Sequence, residues 1–321
     1  MSGPTVSVEV VTFGETMGLL AADDLGPLRN GHRMVLGIAG AESNVAIGVR
    51  RLGHSVAWAG RVGTDPIGRL VLRELRAEGV DVAHAVDDDG APTGFMLKVH
   101  RTTATSEIIY SRRGSAGSRL CVADLAPELI AQARILHVTG ITPALSESAF
   151  EAVNAAIDIA NAHNVSVSLD VNHRRALWSD TDAGTALREL APRCQFLFAS
   201  EYEAALLVGE RTPDDAARAL AALGPAHAVV KRGELGYTAC IDGVMHSDVA
   251  FSVPVVDPVG AGDAFVAGYL ASWLDGSDAA DALRTANLTG AFVVAVPGDW
   301  EGLPTRAELA AFVDRTDAVT R

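Results

Sequence analysis

The run Val256-Asp257-Pro258-Val259-Gly260-Ala261-Gly262-Asp263-Ala264-Phe265 carries residue types that could do chemistry. Two glycines flank Ala261, and a carboxylate follows at once. Phe265, Val266, Tyr269, Leu270, Trp273 and Leu274 then recur at helical spacing, so a loop is expected to become a helix at Gly260 to Gly262. The first N–H groups of a helix lack internal partners and carry partial positive charge, which makes such a turn an anion site. Gly260 and Gly262 have no Cβ, so a bulky anion can reach the backbone. Asp263 falls in the first helical turn. A carboxylate beside a phosphate cradle suits a base that takes the proton from an attacking hydroxyl. The same residues would equally make a plain helix start with Asp263 favouring the dipole. The run is neither a Walker loop nor a dinucleotide fingerprint: no Lys-Ser or Lys-Thr follows the glycines, and Phe265 stands where a sixth-position glycine is needed.

Four further clusters hold reactive or binding side chains. Gly37 to Asn44 places glycines before a helix, where backbone can approach a ligand and Asn44 offers donors and an acceptor; a simple helix cap reads the same way. Tyr110-Ser111-Arg112-Arg113-Gly114-Ser115-Ala116 puts Tyr110 and Arg112 on one strand face, a pairing suited to a carboxylate and hydroxyls, or to a solvated edge. Asp170-Val171-Asn172-His173-Arg174-Arg175 follows a strand and offers another cation, or a loop ion pair. No second His or Cys lies at ligand spacing from His173, which reads as a hydrogen-bonded loop residue. Ser200-Glu201-Tyr202-Glu203 could hold Mg²⁺ through water, and Lys231-Arg232-Gly233-Glu234-Leu235-Gly236 could receive a nucleotide; a helix start and a hairpin turn are the plain alternatives. Taken together the clusters compose a phosphoryl transferase acting on an acidic, hydroxylated small molecule.

The elements that must position these groups alternate. Buried strands are expected at Val6 to Phe13, Ser55 to Ala59, Ile135 to Val138, Val165 to Leu169, Phe196 to Phe198 and Ala228 to Lys231. Helices are expected from Ala39, from Pro66, over Ser146 to His163, Thr181 to Leu190, Glu201 to Val208 and Pro213 to Leu223, with three more closing the chain. Tyr237 to Ile241, the residues near Val244, and Val249 to Val253 read as antiparallel edge strands. Two interruptions break the series: short strands at Met17 to Leu20 and Arg33 to Leu36, and a hairpin over Thr93 to Ser111. Together they could form a small β lid. Alternation of this kind implies an α/β fold with a mostly parallel, doubly wound sheet, whose ligands sit beyond the strand C-terminal ends.

Composition narrows the partners. The 321 residues are 49% hydrophobic, enough for a sizeable core, and length alone allows one large or two small domains. A net charge of −14 argues against nucleic acid and anionic membrane, so an anionic substrate demands a local basic pocket. Cys121, Cys194 and Cys240 form neither a disulfide framework nor a zinc spacing, which suits a reducing cytoplasm. Met1 to Val11 shows no basic leader, and no apolar run is long enough to span a bilayer.

The Asp257 to Phe265 and Gly37 to Gly63 stretches resemble the two signatures of the ribokinase-like (PfkB) carbohydrate kinases, a likeness that runs nearly the whole chain. Within that family the chain is most similar to the 2-keto-3-deoxygluconate kinases, through Gly40-Ala41-Glu42-Ser43-Asn44-Val45-Ala46, Arg113 to Ser118, Thr139 to Ser146 and Ser168 to Arg174. The resemblance implies a single ribokinase-like domain over 1–321, three-layered, with lid strands from about 15–37 and 93–112. It implies ATP-dependent phosphorylation of the terminal hydroxyl of 2-keto-3-deoxygluconate, with Asp263 as base and Gly260, Ala261 and Gly262 as anion hole. By the same resemblance Gly40, Asn44 and Met96 touch the sugar acid, and Tyr110, Arg112 and Arg174 bind its carboxylate and keto end. Ser200, Lys231, Gly233, Gly236 and Asn287 line the ATP site, and Glu203 approaches Mg²⁺ through water. A homo-oligomer contacting through the lid is also implied. Met96 and Ser111 stand where relatives often carry aromatic residues, and Ser200 where they often carry Asn. The Met96 and Ser111 departures bear on which sugar acid is taken, and the one at Ser200 on the part Ser200 plays. The rival readings are a kinase of fructose, ribose or a nucleoside, an inactive sugar- or nucleotide-binding regulator, and, last, a nicotinamide oxidoreductase whose glycine fingerprint is missing here.

Overall fold

Val10 and Val11 are both shielded from solvent, yet they belong to different hydrophobic clusters on opposite faces of one sheet. That double burial explains why the strands read as continuous apolar runs rather than alternating ones. The computed structural model describes residues 8–102 and 106–319, so Val6 and Ser7 of the first expected strand lie outside it. The first strands are β1 (Val10–Phe13), β2 (Met17–Ala22) and β3 (Met34–Ala39), followed by helix α1 (Ala41–Arg51). Next come β4 (Val56–Ala59), β5 (Arg61–Gly63), α2 (Pro66–Ala77) and β6 (Val86–Asp88), then the hairpin β7 (Phe95–His100) and β8 (Ser106–Ser111). Helix α3 (Pro127–Gln132) leads to β9 (Ile135–Thr139), α4 (Glu147–Ala162), β10 (Ser166–Asp170), α5 (Asp180–Leu190), β11 (Phe196–Ser200) and α6 (Glu201–Val208). The chain ends through α7 (Pro213–Ala221), β12 (His227–Lys231), β13 (Tyr237–Ile241), β14 (Val244–Asp248), α8 (Ala261–Leu274), α9 (Ala279–Val294) and α10 (Arg306–Val319).

The large sheet has the order β14-β13-β12-β11-β10-β9-β1-β4. Every pairing from β4 to β12 is parallel, and β13 and β14 add antiparallel edge strands. One face packs Val10, Ile135, Phe196, Phe198 and Val229 against α1, α2, α8 and α9. The other packs Val11, Leu136, Val167, Leu197 and Val230 against α4, α5, α6 and α7. The result is the expected three-layer α/β architecture. Helices α1 and α8 lie close: a Cβ on Gly48 would come within 2.6 Å of the Ala267 methyl.

Because β9 to β12 are parallel and in register, they end along one edge. Asp170 pairs with Thr139, and Ser200 pairs with Lys231. The polar loops that follow therefore open on the same side. The small sheet has the order β3-β2-β7-β8, with β2 and β7 parallel and the outer pairs antiparallel. Its inner face presents Met17, Leu19, Ala39 and Met96.

Two differences from the sequence reading matter. A short parallel pair, β5 with β6, lies outside both main sheets; one strand was expected after Gly79-Val80-Asp81, but neither β5 nor the pairing was. Val249 to Val253 is irregular rather than an edge strand. The neighbouring β13 has all five of its residues already matched by Val244 to Asp248. Beyond Asp248 no further residue of that strand remains to pair, so the chain leaves the sheet and runs along the mouth of the cavity described next.

Candidate active site

One cavity of about 960 Å³ opens beyond the C-terminal ends of the parallel strands, between the two sheets. Gly40, Asn44, Met96, Tyr110, Arg112, Arg174, Ser200, Glu203, Lys231, Gly233, Gly236, Gly260, Ala261, Gly262, Asp263 and Asn287 all line it. The structure thus brings every candidate residue to one place, although they come from both sheets and from loops distant in sequence.

Asp263 lies in the first turn of α8 and is 7% exposed. Its Oδ2 accepts from Asn44 Nδ2 at 2.8 Å, and its Oδ1 accepts from Asn172 Nδ2 at 3.2 Å. Burial pushes its pKa up to about 6, against the Asn44 hydrogen bond and the Arg174 and Lys231 charges, which favour the carboxylate. A carboxyl so placed and so poised can accept a proton near neutral pH. Asn172 holds a left-handed backbone (φ 37°), which asparagine tolerates better than most residues.

The turn before Asp263 is shaped by lack of space. Gly260 has φ 81°, and a Cβ there would overlap the Asp299 carbonyl oxygen. Gly260 makes no side-chain cap, so the first N–H groups of α8 are left for another acceptor. Next to that turn stands the Lys231 ammonium, 3.3 Å from where a Gly262 Cβ would sit. Lys231 also donates to Asp170 Oδ2 at 2.7 Å. Burial would lower the lysine pKa, but Asp170, Glu203 and Asp263 outweigh it and raise it. Asp170 is itself raised to about 6 by burial, offset in part by Lys231, and its Oδ1 has no partner among the described residues.

The two arginines differ. Arg112 is bonded through Nε and Nη2 to Glu15 Oε2, at 2.7 and 2.6 Å, and is buried. Glu15 also takes the Ser115 hydroxyl. Arg112 stacks over Tyr110 at 5.7 Å, as their shared strand face predicts. Arg174 is exposed on the cavity wall and has no ion pair among the described residues. Its neighbour Arg175 is taken up by Asp180 and the Tyr202 ring, and His173 bonds to Asp180 as a loop residue.

Glu203 is a capping residue as well as a wall residue. Its Oε1 accepts from His173 N at 2.8 Å and its Oε2 from Ser200 N at 2.7 Å. The Ser200 hydroxyl completes the capping box of α6. No group of three or more metal-ligating side chains occurs among the described residues. A lone carboxylate on the wall, as at Glu203, fits Mg²⁺ held mainly by phosphate and water. The open backbone at Gly262, the Lys231 ammonium and the positive-φ glycines Gly233 and Gly236 fit a polyphosphate alongside. Asn287 donates to Val249 O at 2.7 Å, which ties the irregular 249–255 segment to α9.

Several wall residues escaped the sequence reading. Glu42 is buried, with both Thr139 and Thr142 hydroxyls donating to its Oε1 at 2.6 Å and its Oε2 unpartnered among the described residues. Burial raises its pKa. Its place inside Gly40 to Asn44 was the available signal. Glu15, Asp299 and the residues Ala250 to Val253 also line the cavity, and nothing local in the sequence marked them.

Comparison with known proteins agrees with this geometry. The sequence pattern described as "pfkB family carbohydrate kinase" matches residues 8–306. The 2-dehydro-3-deoxygluconokinase of Bacillus subtilis (strain 168) is 37% identical over 317 residues, covering 96% of each chain. The crystal structure of a PfkB protein from Polaromonas sp. JS666 superposes with a TM-score of 0.86 at 39% identity, over 95% of this chain and 99% of that one. An E. coli protein named ribokinase II, solved in complex with ATP and Mg²⁺, superposes with a TM-score of 0.88 at 26% identity, over 96% and 99%.

Proposed function

The chain belongs to the pfkB family of carbohydrate kinases, and from that premise we propose that it transfers the terminal phosphoryl group of ATP to the C6 hydroxyl of 2-keto-3-deoxygluconate, the 2-dehydro-3-deoxygluconate of the relative's name. Family membership makes it a phosphotransferase acting on a carbohydrate hydroxyl, and implies ATP as donor. The single observation that carries the choice of an acid is Arg174: an exposed guanidinium, unpaired among the described residues, on the wall of the cavity that holds Asp263. A neutral sugar has no use for it.

Asp263 takes the hydroxyl proton as the oxygen attacks, held in aim by Asn44 and Asn172. The N–H groups at Gly260, Ala261 and Gly262, with Lys231, receive the charge on the transferring group. Mg²⁺, when bound with ATP, adds neutralisation of the phosphate oxygens. Glu203, beside Ser200, would help hold that ion through water. Arg174 binds the far carboxylate, and Tyr110 and the free edge of Arg112 flank the keto end. Gly40 and Met96 close the sugar site, and Gly233, Gly236 and Asn287 serve the nucleotide.

The whole chain then works as one kinase unit, with the small sheet as a lid. Its outer face carries a row of matched residues, Leu36, Leu20, Leu97 and Ile109, of which Leu36 and Ile109 are exposed. Such a row suits a homo-oligomeric contact. Among the described residues no helix is long and apolar enough to cross a membrane. The cytoplasm, as the setting of this proposal, follows from the carbohydrate-kinase reading and its metabolites.

A second reading, phosphorylation of a neutral sugar such as fructose, draws on the neutralisation of Arg112 by Glu15. One assay separates the two. ATP consumption coupled to sugar-phosphate detection is run with 2-keto-3-deoxygluconate, its galacto epimer, fructose and ribose, each with Mg²⁺. Preference for the keto-acids supports the arginine site, and preference for a neutral sugar sinks it while keeping Asp263.

A further inference from the structure

Lys98, Asp257 and Asp299 form a buried cluster that none of the roles above uses. They are 1%, 2% and 4% exposed. The Lys98 ammonium lies 2.5 Å from Asp257 Oδ2 and 3.0 Å from Asp299 Oδ1. The three residues come from three places: β7 of the small sheet, the loop entering α8, and the loop leaving α9.

Burying a charge is costly, and a buried ion pair adds little net stability over well-packed apolar side chains. Burial and the neighbouring Asp257 also raise the pKa of Asp299, against the Lys98 charge, so a second ionised acid is costly there. Stability alone therefore gives a weak reason for the cluster. Geometry gives a stronger one. Asp257 also accepts from Val259 N at 3.2 Å on Oδ1 and from Gly298 N at 3.3 Å on Oδ2. Asp299 offers its backbone as the surface on which Gly260 rests, with no room for a Cβ between them. The Gly260 turn is thus bounded on one side by the Asp257 loop and on the other by Asp299. The ammonium holds both. Met96, two residues earlier on β7, faces the cavity on the same strand side as Lys98.

We propose that Lys98 is a positioning residue for phosphoryl transfer: its ammonium clamps the loops on either side of Gly260 and so sets the aim of the anion-binding turn, tying that aim to the place of the small sheet. This inference rests on the kinase reading of the Gly260–Gly262 turn. It acts through backbone placement and touches no reacting atom. Displacement of a turn by an ångström is enough to cost up to about a hundredfold in rate.

The test uses the full chain and four variants: Lys98→Met, Asp299→Asn, the double Lys98→Met/Asp299→Asn, and Asp263→Asn. Each is melted to obtain Tm and assayed for kcat and KM with ATP and the preferred acceptor. Asp299→Asn keeps the Lys98–Asp257 pair, so it is expected to fold with a Tm near wild type and to lose about fivefold or more in kcat, with KM for the acceptor within about threefold. Lys98→Met leaves two buried carboxylates facing each other and is expected to lose both Tm and kcat. The double variant removes one charge of each sign and is expected to regain Tm over Lys98→Met without regaining kcat. Wild-type kcat in folded Asp299→Asn, or recovery of Tm and kcat together in the double variant, overturns the proposal. Asp263→Asn keeps the two readings apart. If it turns over like wild type, the kinase reading of the turn fails. If it is inactive while Asp299→Asn and the double variant are fully active, only the role of Lys98 fails.

Discussion

Asn44 donates its side-chain amide to Asp263 Oδ2 across 2.8 Å, joining residues 219 positions apart. Asn172 takes the other oxygen, so the carboxylate is fixed in orientation but keeps lone pairs toward the cavity. Asp263→Asn preserves the shape and removes the proposed base. It is expected to lower kcat by ~10²–10⁴-fold. Tm should hold or rise, because burial already disfavours the charge. Coupled assay and thermal melting check both, and turnover near wild type would remove Asp263 from the mechanism.

The pH profile follows from the same group. With its pKa pushed up to about 6, Asp263 is an ionised base only above that value. At saturating ATP, kcat/KM for the sugar acid should rise about tenfold per unit below pH 6 and level off above it. Stability runs the other way. The folded pKa lies above the unfolded one, so the stabilising contribution of neutral Asp263 is complete below the unfolded pKa and is lost as pH rises through about 6. Asp263→Asn should therefore lose less stability than wild type between about pH 4 and 6, the interval between the unfolded and folded pKa, and the two should run parallel above it. Identical pH–stability curves for the two proteins would place the raised pKa elsewhere.

The arginines should separate by their partners. Arg174→Ala removes an exposed cation with no ion pair among the described residues, so Tm should stay put while KM for the keto-acid rises about tenfold or more, the loss of one charge-assisted bond. Arg112→Ala leaves Glu15 buried without its cation, with only the Ser115 hydroxyl still donating to it, which is expected to cost about 3 kcal/mol of stability in addition to a rise in KM. Denaturant melts beside steady-state kinetics read both. An unchanged KM in Arg174→Ala would move the carboxylate site elsewhere.

Two glycines of one turn should fail differently. Gly260→Ala meets a positive φ and the Asp299 carbonyl oxygen, so it should lower the yield of folded protein or Tm sharply. Gly262→Ala meets only the Lys231 ammonium at 3.3 Å, so it should fold. Its methyl then occupies the approach of the phosphates, and KM for ATP should rise. A Gly262→Ala enzyme with wild-type ATP kinetics would argue against phosphate contact at that backbone.

Much of the scaffold was legible because β1, β9, β10 and β11 are buried on both faces and read as short apolar runs between polar loops. The same logic put Asp170, Ser200 and Lys231 at strand ends, and parallel register then gathered them. What stayed hidden depends on partners far along the chain. Glu15 lies 97 positions from Arg112, and Asp299 lies 201 from Lys98. Alternation alone would give Lys98 to solvent, since charged residues on a hairpin normally face out. Here the inner face of the small sheet meets two carboxylates, and the lysine turns in. Val249 to Val253 has the composition of a strand, but the available strand was already fully paired.

The close contact of α1 with α8, where Gly48 meets Ala267, also governs when the enzyme comes into being. The first helix carries Asn44 and is made well before the helix that brings Asp263, 219 positions further on. A chain still being synthesised can assemble much of its sheet and yet lack Asp263. Contacts of such long sequence separation are slow to close. In refolding, regain of turnover should therefore lag regain of strand and helix signals, and enzymatic activity serves as a clock for the last docking event rather than for collapse of the core.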